Sequence, residues 1–244
     1  MGNVQVYCET IFMKAYKTNI DQRYKEEEEV RTDPSPYKDY YETLSRTFSF
    51  DEIKSFLDVG CATGWLLYFI KMHHPDTHIR GLEYFEFHKE SADPLIQNLI
   101  DIQDVRDPFD IGQQFDIVNS TEVGEHVDPA FADAYVDNLK RHCGKYLIVT
   151  WANTGGAHDR KRDPNLQHLN PLPFPKVRKL FENHGFQYDK ELSNQLLRNS
   201  YRIPGVCIKP GLKSWVRKTL GMTVRTTGGF YNWWRDSLSV WRSP

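Results

Sequence analysis

The amino-acid sequence predicts an α/β protein built on a doubly wound, mostly parallel sheet that closes with an antiparallel strand at its C-terminus. Three observations carry this expectation. From Lys54 onward, short apolar runs alternate with stretches of helical periodicity. The apolar runs are continuous rather than alternating, the pattern of strands covered on both faces. Gly and Pro mark most junctions between them.

Residues 1–49 read as a helical, Tyr-rich lead-in packed on the core. Within it, "YKEEEEVR" is an exposed helix face, because four like charges gain nothing from burial. Pro34 and Pro36 break the chain, and "YKDYYETLSRTF" then forms a helix covering one edge of the main domain. Residues 50–244 form that domain. "SFLDVG" is the first strand and "WLLYFIKMHH" a helix that ends at Pro75. "HIRGLEY" is the second strand, and "HKESADPLIQNL" is helical or turn-like, broken at Pro94. "IDIQDV" and "FDIVNS" are the third and fourth strands. "PAFADAYVDNLKRHC" is an amphipathic helix with Phe131, Tyr135, Val136 and Leu139 on one side. "GKYLIVTWA" is the fifth strand, followed by a long polar loop over residues 152–172. "KVRKLFENHGF" is a further helix, and "FQYDKEL" and "SLSVWR" are a closing pair of strands. A basic, Trp-containing insertion at 198–236 separates that pair. In such sheets ligands bind beyond the carboxyl ends of the strands.

Composition narrows the function. Hydrophobic residues are 39% and charged residues 26% of the 244, which is globular and not disordered. No apolar run approaches the roughly 20 residues of a membrane span. The N-terminus lacks a signal-peptide pattern, and Val6 stands where a myristoylation motif after Met1-Gly2 needs Ser or Thr. Cys8, Cys61, Cys143 and Cys207 form no C-x-x-C pair, so a cytoplasmic, reducing setting without a disulfide framework is expected. The net charge of −2 is unevenly spread: nine bases against Asp236 alone give residues 198–244 a charge of +8, and the remainder carries −10. Such a tail is either a solvated basic face or a contact for a polyanion.

The first strand runs into "LDVGCATGW", where Gly60 and Gly64 allow a tight turn into a helix N-terminus. The dinucleotide spacing G-x-G-x-x-G would need glycines at 62 and 65, but Ala62 and Trp65 stand there. The register Asp58, Gly60, Ala62, Gly64 fits instead, and with it the chain resembles the S-adenosylmethionine (SAM) dependent methyltransferases of Rossmann-like fold. "QDVRDPF" and "FDIVNSTEVGEHV" are similar to that family's next two motifs, so the resemblance covers about residues 50–150. It implies SAM as cofactor and a cofactor edge made by Asp58, Gly60, Cys61, Ala62, Gly64, Trp65, Glu83, Tyr84, Asp104, Val105 and Ser120. In it, Asp58 faces the amino-acid end of SAM, Glu83 takes the ribose hydroxyls, Asp104 meets the adenine amino group and Val105 lies beside the ring.

"STEVGEH" then lies where the methyl acceptor would lie. Three readings compete. In one, Ser120 or Thr121 caps the next turn and Glu122 and Glu125 sit near a helix N-terminus. In another, His126 is the general base, as an imidazole permits. In the third, Glu122, Glu125 and His126 share a helical face and ligate a metal with a distant histidine, His168 or alternatively His158. This E-x-x-E-H resembles the small-RNA ribose 2′-O-methyltransferases and ubiquinone-pathway O-methyltransferases, a likeness that implies Mg²⁺. "WANTGG" and "HLNPLPF" are similar to a methyltransferase family common in viral and bacterial genomes, in which His168 and Asn170 would close over the acceptor. The expected catalytic residues are therefore His126, His168, Glu122 and Glu125.

The acceptor expected first is a hydroxyl of a sugar, glycan or small polyol. The alternative is RNA, at a cap or terminal ribose, held by the basic segment with Trp215, Trp233, Trp234 and Trp241. A non-catalytic nucleotide- or membrane-binding module is the third, with "GLKSWVRKTLG" as an interfacial helix.

Overall fold

The computed structural model describes residues 34–152, 168–200 and 238–244 in full, and the backbone of 202–203 and 206–207. His158, the "HDRKRD" stretch and most of the 198–236 insertion lie outside the described residues. In chain order the elements are α1 (Ser35–Thr47), β1 (Ser55–Val59), α2 (Trp65–His73), β2 (His78–Glu83), α3 (Glu86–Glu90), β3 (Ile100–Ile102), β4 (Phe115–Ser120), α4 (Ala132–His142), β5 (Cys143–Val149), α5 (Phe174–Asn183), β6 (Gln187–Tyr188), α6 (Lys190–Ser200), β7 (Arg202–Ile203), β8 (Val206–Cys207) and β9 (Ser239–Arg242). No helix among the described residues is long and apolar enough to cross a membrane.

Seven strands form one sheet in the order β3-β2-β1-β4-β5-β9-β6, and β7 pairs with β8 separately. The first five are parallel, while β9 runs antiparallel between β5 and β6. The order reverses between β1 and β4, the switch point beyond whose carboxyl ends open α/β sheets bind ligands. Residue parity divides the core. Phe56, Ile117, Ile148 and Val240 meet Leu44, Leu67 and Leu196 on one face. Leu57, Val118, Leu147 and Trp241 meet Tyr135, Leu139 and Phe181 on the other.

Two expectations are corrected here. Helix α1 lies over the middle of the sheet, not along an edge: Tyr40 bonds Asn119 of β4 at 2.7 Å, and Phe48 packs on Tyr146 of β5 with ring centroids 5.3 Å apart. Large aromatics let the helix reach across, and Tyr41 stacks on His73 of α2 at 5.0 Å. The second concerns Trp241, which is 0% exposed and offers no surface to a nucleic acid. Strand β9 is flanked on both sides, so its inward residues are core, and Arg242 is held by Asp189 at 2.8 Å.

Candidate active site

The turn after β1 is held by backbone and by one carboxylate. The N–H groups of Gly60 and Cys61 donate to the Leu82 carbonyl at 2.8 and 3.1 Å. The N–H of Ala62 donates to Glu83 Oε2 at 2.8 Å. Gly60, Ala62 and Gly64 all have positive φ, at 76°, 48° and 75°. Gly64 opens α2 in the left-handed conformation, and a Cβ there would lie 2.6 Å from Ile96 Cδ1 and 2.9 Å from Ile100 Cδ1. This glycine thus serves packing as well as the turn. Gly64→Ala should destabilise the protein by about 2–4 kcal/mol, combining left-handed strain with overpacking, as read by urea unfolding without cofactor. Cys61 is buried in the core, where its Sγ packs against Gly81. Trp65 is half-buried at the start of α2, edge-on to Tyr68.

The three strand-end acids occupy different environments. Asp58 is buried and accepts from Asn119 Nδ2 at 2.7 Å. Burial pushes its carboxyl up to about 7, the charge of Glu83 adds to this, and the Asn119 bond opposes it. Glu83 is also buried; its Oε1 accepts from the Phe85 N–H at 3.1 Å and lies 3.1 Å from His88 Nδ1. A carboxylate has about four acceptor sites. Glu83 engages three of them with the turn and α3 and keeps capacity for a ribose hydroxyl. Asp104 is gripped by Arg106, through the backbone N–H at 3.0 Å and through Nε and Nη2 at 2.8 Å. The same guanidinium stands 5.5 Å from the centre of the Tyr84 ring. Val105 packs at the edge of the core, and its carbonyl accepts from Asn138. Ser120 departs from expectation. It is fully buried, with its hydroxyl donating to the Val59 carbonyl and lying 2.7 Å from Tyr135 Oη. Parity along β4 turns it to the α4 side of the sheet, so its hydroxyl is spent on packing.

After β4 the chain does not form the α-helix that would place Glu122, Glu125 and His126 on one face. Glu122 takes a left-handed φ of 59°, and its N–H donates to Thr150 Oγ1 at 2.7 Å. A single 3₁₀ turn over Gly124–His126 follows, without a side-chain cap, so neither Ser120 nor Thr121 caps it. Val123 rests on the glycine turn: a Cβ at Gly60 would lie 2.3 Å from its Cγ2. This contact ties the turn carrying Glu125 and His126 to the glycine turn after β1.

Trp151, just beyond β5, brings the distant histidine in. Its ring covers Gly124 so closely that a Cβ there would sit 2.4 Å from Cε3. Its Nε1 donates to the Asn170 carbonyl at 2.7 Å, and the Asn170 N–H donates to the Glu125 carbonyl at 2.8 Å. His168 is thereby placed against His126, ring centroids 4.9 Å apart and nearly perpendicular. One donor atom each of Glu125, His126 and His168 lies within 4.8 Å of the others; Glu122 is outside that group. Glu125 is 0% exposed, and neither carboxylate oxygen has a donor in hydrogen-bonding geometry among the described residues. Burial, and then the neighbouring Glu122, pushes its carboxyl well above the ordinary range. Asn170 is buried, with no partner for Nδ2 among the described residues. It contributes backbone bonds to this staple.

Sequence reading missed Asn119, Arg106, Trp151 and Thr150. Asn119 carried one usable signal, a polar side chain inside the apolar run "FDIVNS". Arg106 bonds Asp104 only two residues away, whereas Thr150 and Trp151 act through distant contacts that no local pattern announces.

The described residues thus combine a doubly wound sheet, a glycine turn after β1, acids at successive strand ends and a polar cluster after β4. The chain belongs to the methyltransferase-domain family, whose model matches residues 29–191. No curated protein matches it. Among solved structures it is similar to StiE O-MT residues 961–1257, with TM-score 0.50 and 20% identity over 84% of this chain and 72% of that one. It is also similar to magnesium protoporphyrin IX methyltransferase (ChlM) from Synechocystis PCC 6803 with bound SAH, with TM-score 0.50 and 18% identity over 64% and 74%. PKMT2 from Rickettsia typhi in complex with AdoHcy gives TM-score 0.52 and 12% identity over 85% and 53%. At these identities the structural likeness is one of fold. As a member of that family, the protein is a SAM-dependent methyltransferase.

Proposed function

We propose that the protein transfers the methyl group of SAM to a hydroxyl of a sugar, glycan or small polyol, with His126 as general base. The observation that supports this most is the convergence of Glu125, His126 and His168 beside the glycine turn. A hydroxyl oxygen attacks the sulfonium methyl in line. The C–S electron pair passes to sulfur, leaving S-adenosylhomocysteine (SAH), and the hydroxyl proton passes to His126. A neutral imidazole suits this near pH 7. The imidazolium so formed places positive charge near the buried Glu125, favouring its ionised form as transfer proceeds. His168 orients His126. SAM is held by Asp58, Gly60, Cys61, Ala62, Gly64 and Trp65 at its amino-acid end, by Glu83 and Tyr84 at the ribose, and by Asp104 and Val105 at the adenine. Cys61 and Cys143 are free and buried, which suits a cytoplasmic setting.

The expected Mg²⁺ does not fit this cluster. Mg²⁺ takes oxygen ligands in near-octahedral geometry, and the cluster offers two imidazoles and one carboxylate. Such a mixed set suits a transition ion instead, and the fully buried Glu125 carboxylate within reach of both imidazoles favours that as the second reading.

A panel of glycosides, polyols, amines and short capped RNAs, each with SAM and with or without EDTA, tests the proposal. Transfer to a small hydroxyl acceptor, unchanged by EDTA, is expected. Transfer confined to amines or RNA overturns the acceptor class. Loss with EDTA that Zn²⁺ or Mn²⁺ restores, and Mg²⁺ does not, replaces the free base with an ion-assisted one.

A further inference from the structure

The buried acid at the cofactor edge is wired to helix α1. Asp58 and Asn119 are register neighbours on β1 and β4, on the sheet face that α1 covers. They are a polar pair in an otherwise apolar layer, 4% and 0% exposed, and Tyr40 above them is 2% exposed. The Tyr40 hydroxyl donates to Asn119 Oδ1 at 2.7 Å, and Asn119 Nδ2 donates to Asp58 Oδ1 at 2.7 Å.

The chemistry of the amide gives this chain a direction. A carboxamide has an acceptor end and a donor end. A buried phenol O–H needs an acceptor, and leaving it without one is costly. With Oδ1 turned to Tyr40, the amide presents its N–H to Asp58. That end favours a carboxylate, whereas the carbonyl end would favour a protonated acid.

We propose that Tyr40 is a positioning residue for cofactor binding, acting through Asn119 to keep Asp58 an ionised acceptor for the cationic amino group of SAM. The proposal rests on the reading that Asp58 faces that amino group. The titratable groups facing Asp58 are Glu83 from β2 and the Cys61 thiol in the turn. Burial, and then the charge of Glu83, oppose ionisation of Asp58, and the amide donor from β4, backed by α1, works against both. Helix α1 then belongs to the cofactor site without touching the cofactor.

The test is SAH affinity by calorimetry from pH 5.5 to 9 for the wild type, Tyr40→Phe, Asn119→Leu, their double variant and Asp58→Asn. Wild-type affinity should fall about tenfold per pH unit below the ionisation of Asp58. Tyr40→Phe should raise the midpoint of that profile by about one unit, weakening SAH several-fold near pH 7 and matching wild type at pH 9. Loss of packing alone would weaken binding at every pH. Asn119→Leu should raise the midpoint at least as far, and the double variant no further, because the two residues act in series. Midpoints that stay at the wild-type value in Tyr40→Phe, or in Asn119→Leu if the first variant does not fold, overturn the proposal. So does full additivity in the double variant. If Asp58→Asn keeps the wild-type pH profile, the reading of Asp58 itself fails. If it flattens the profile while Tyr40→Phe leaves it in place, only the role of Tyr40 fails.

Discussion

Replacing His126 with alanine should lower kcat for methyl transfer by about 10²- to 10⁴-fold, the usual contribution of a positioned base. SAH affinity should stay within about threefold, because the lost interaction is one made in the transition state. The separation follows from the geometry. His126 sits on the 3₁₀ turn after β4, and Val123 packs on the glycine turn. His168→Ala should cost less than His126→Ala, since its part is to orient the other ring across their 4.9 Å contact. Steady-state kinetics with a working hydroxyl acceptor, alongside SAH calorimetry, checks both. A parallel collapse of kcat and SAH affinity would show that the turn holds the cofactor rather than the acceptor. An unchanged kcat in His126→Ala would remove the base.

Asp58→Asn should make the cofactor-free protein more stable than wild type above pH 7, and a weaker SAH binder. Burial holds the folded-state value of Asp58 at about 7, against 3.8 for the ordinary side chain. The folded state therefore binds this proton more tightly than the unfolded state does. The stability this confers is complete below about pH 4 and is lost as pH rises through 7. At 1.36 kcal/mol per unit, the loss is roughly 4 kcal/mol as an upper bound. An amide at position 58 keeps the acceptor for Asn119 Nδ2 and has no charge to bury, so its stability should not fall through that window. Chemical denaturation of both proteins from pH 5 to 8.5 reads the difference directly. Parallel curves would mean that Asp58 ionises freely in the folded state. SAH should narrow the gap, since its ammonium stabilises the ionised wild-type carboxylate and offers the amide less. A residue that costs stability when the cofactor is absent and returns it on binding is a common feature of functional sites.

The sequence by itself determined the sheet and the glycine turn after β1. Continuous apolar runs such as "FDIVNS" and "YLIVT" belong to strands covered on both faces, and glycines at 60 and 64 belong to a turn that side chains obstruct. Both are local properties, written in residue type and spacing, and they carried the family assignment as well. Of the two closing strands expected, Ser239–Arg242 emerged as β9, but only Gln187–Tyr188 of "FQYDKEL" is strand, and from Lys190 that run enters helix α6, whose polar sequence carried no strand or helix signal strong enough to separate them.

Only the tertiary structure decided which side chains meet. The spacing of Glu122, Glu125 and His126 assumed a helix, but Glu122 turns left-handed and one 3₁₀ turn follows, because Thr150 and Trp151 hold that segment from β5. The pairing of His126 with His168 spans 42 residues of chain and depends on the bonds of Trp151 and Asn170. The line from Tyr40 to Asp58 joins three elements, and its middle member looked like one polar residue in a strand. Strand parity sent Ser120 and Trp241 into the α4–α5 side of the core, away from the roles their positions in the sequence suggested. Periodicity records which face of its own element a residue occupies. The partner across that face is set by how the layers pack, and the chemistry of this site depends on those partners.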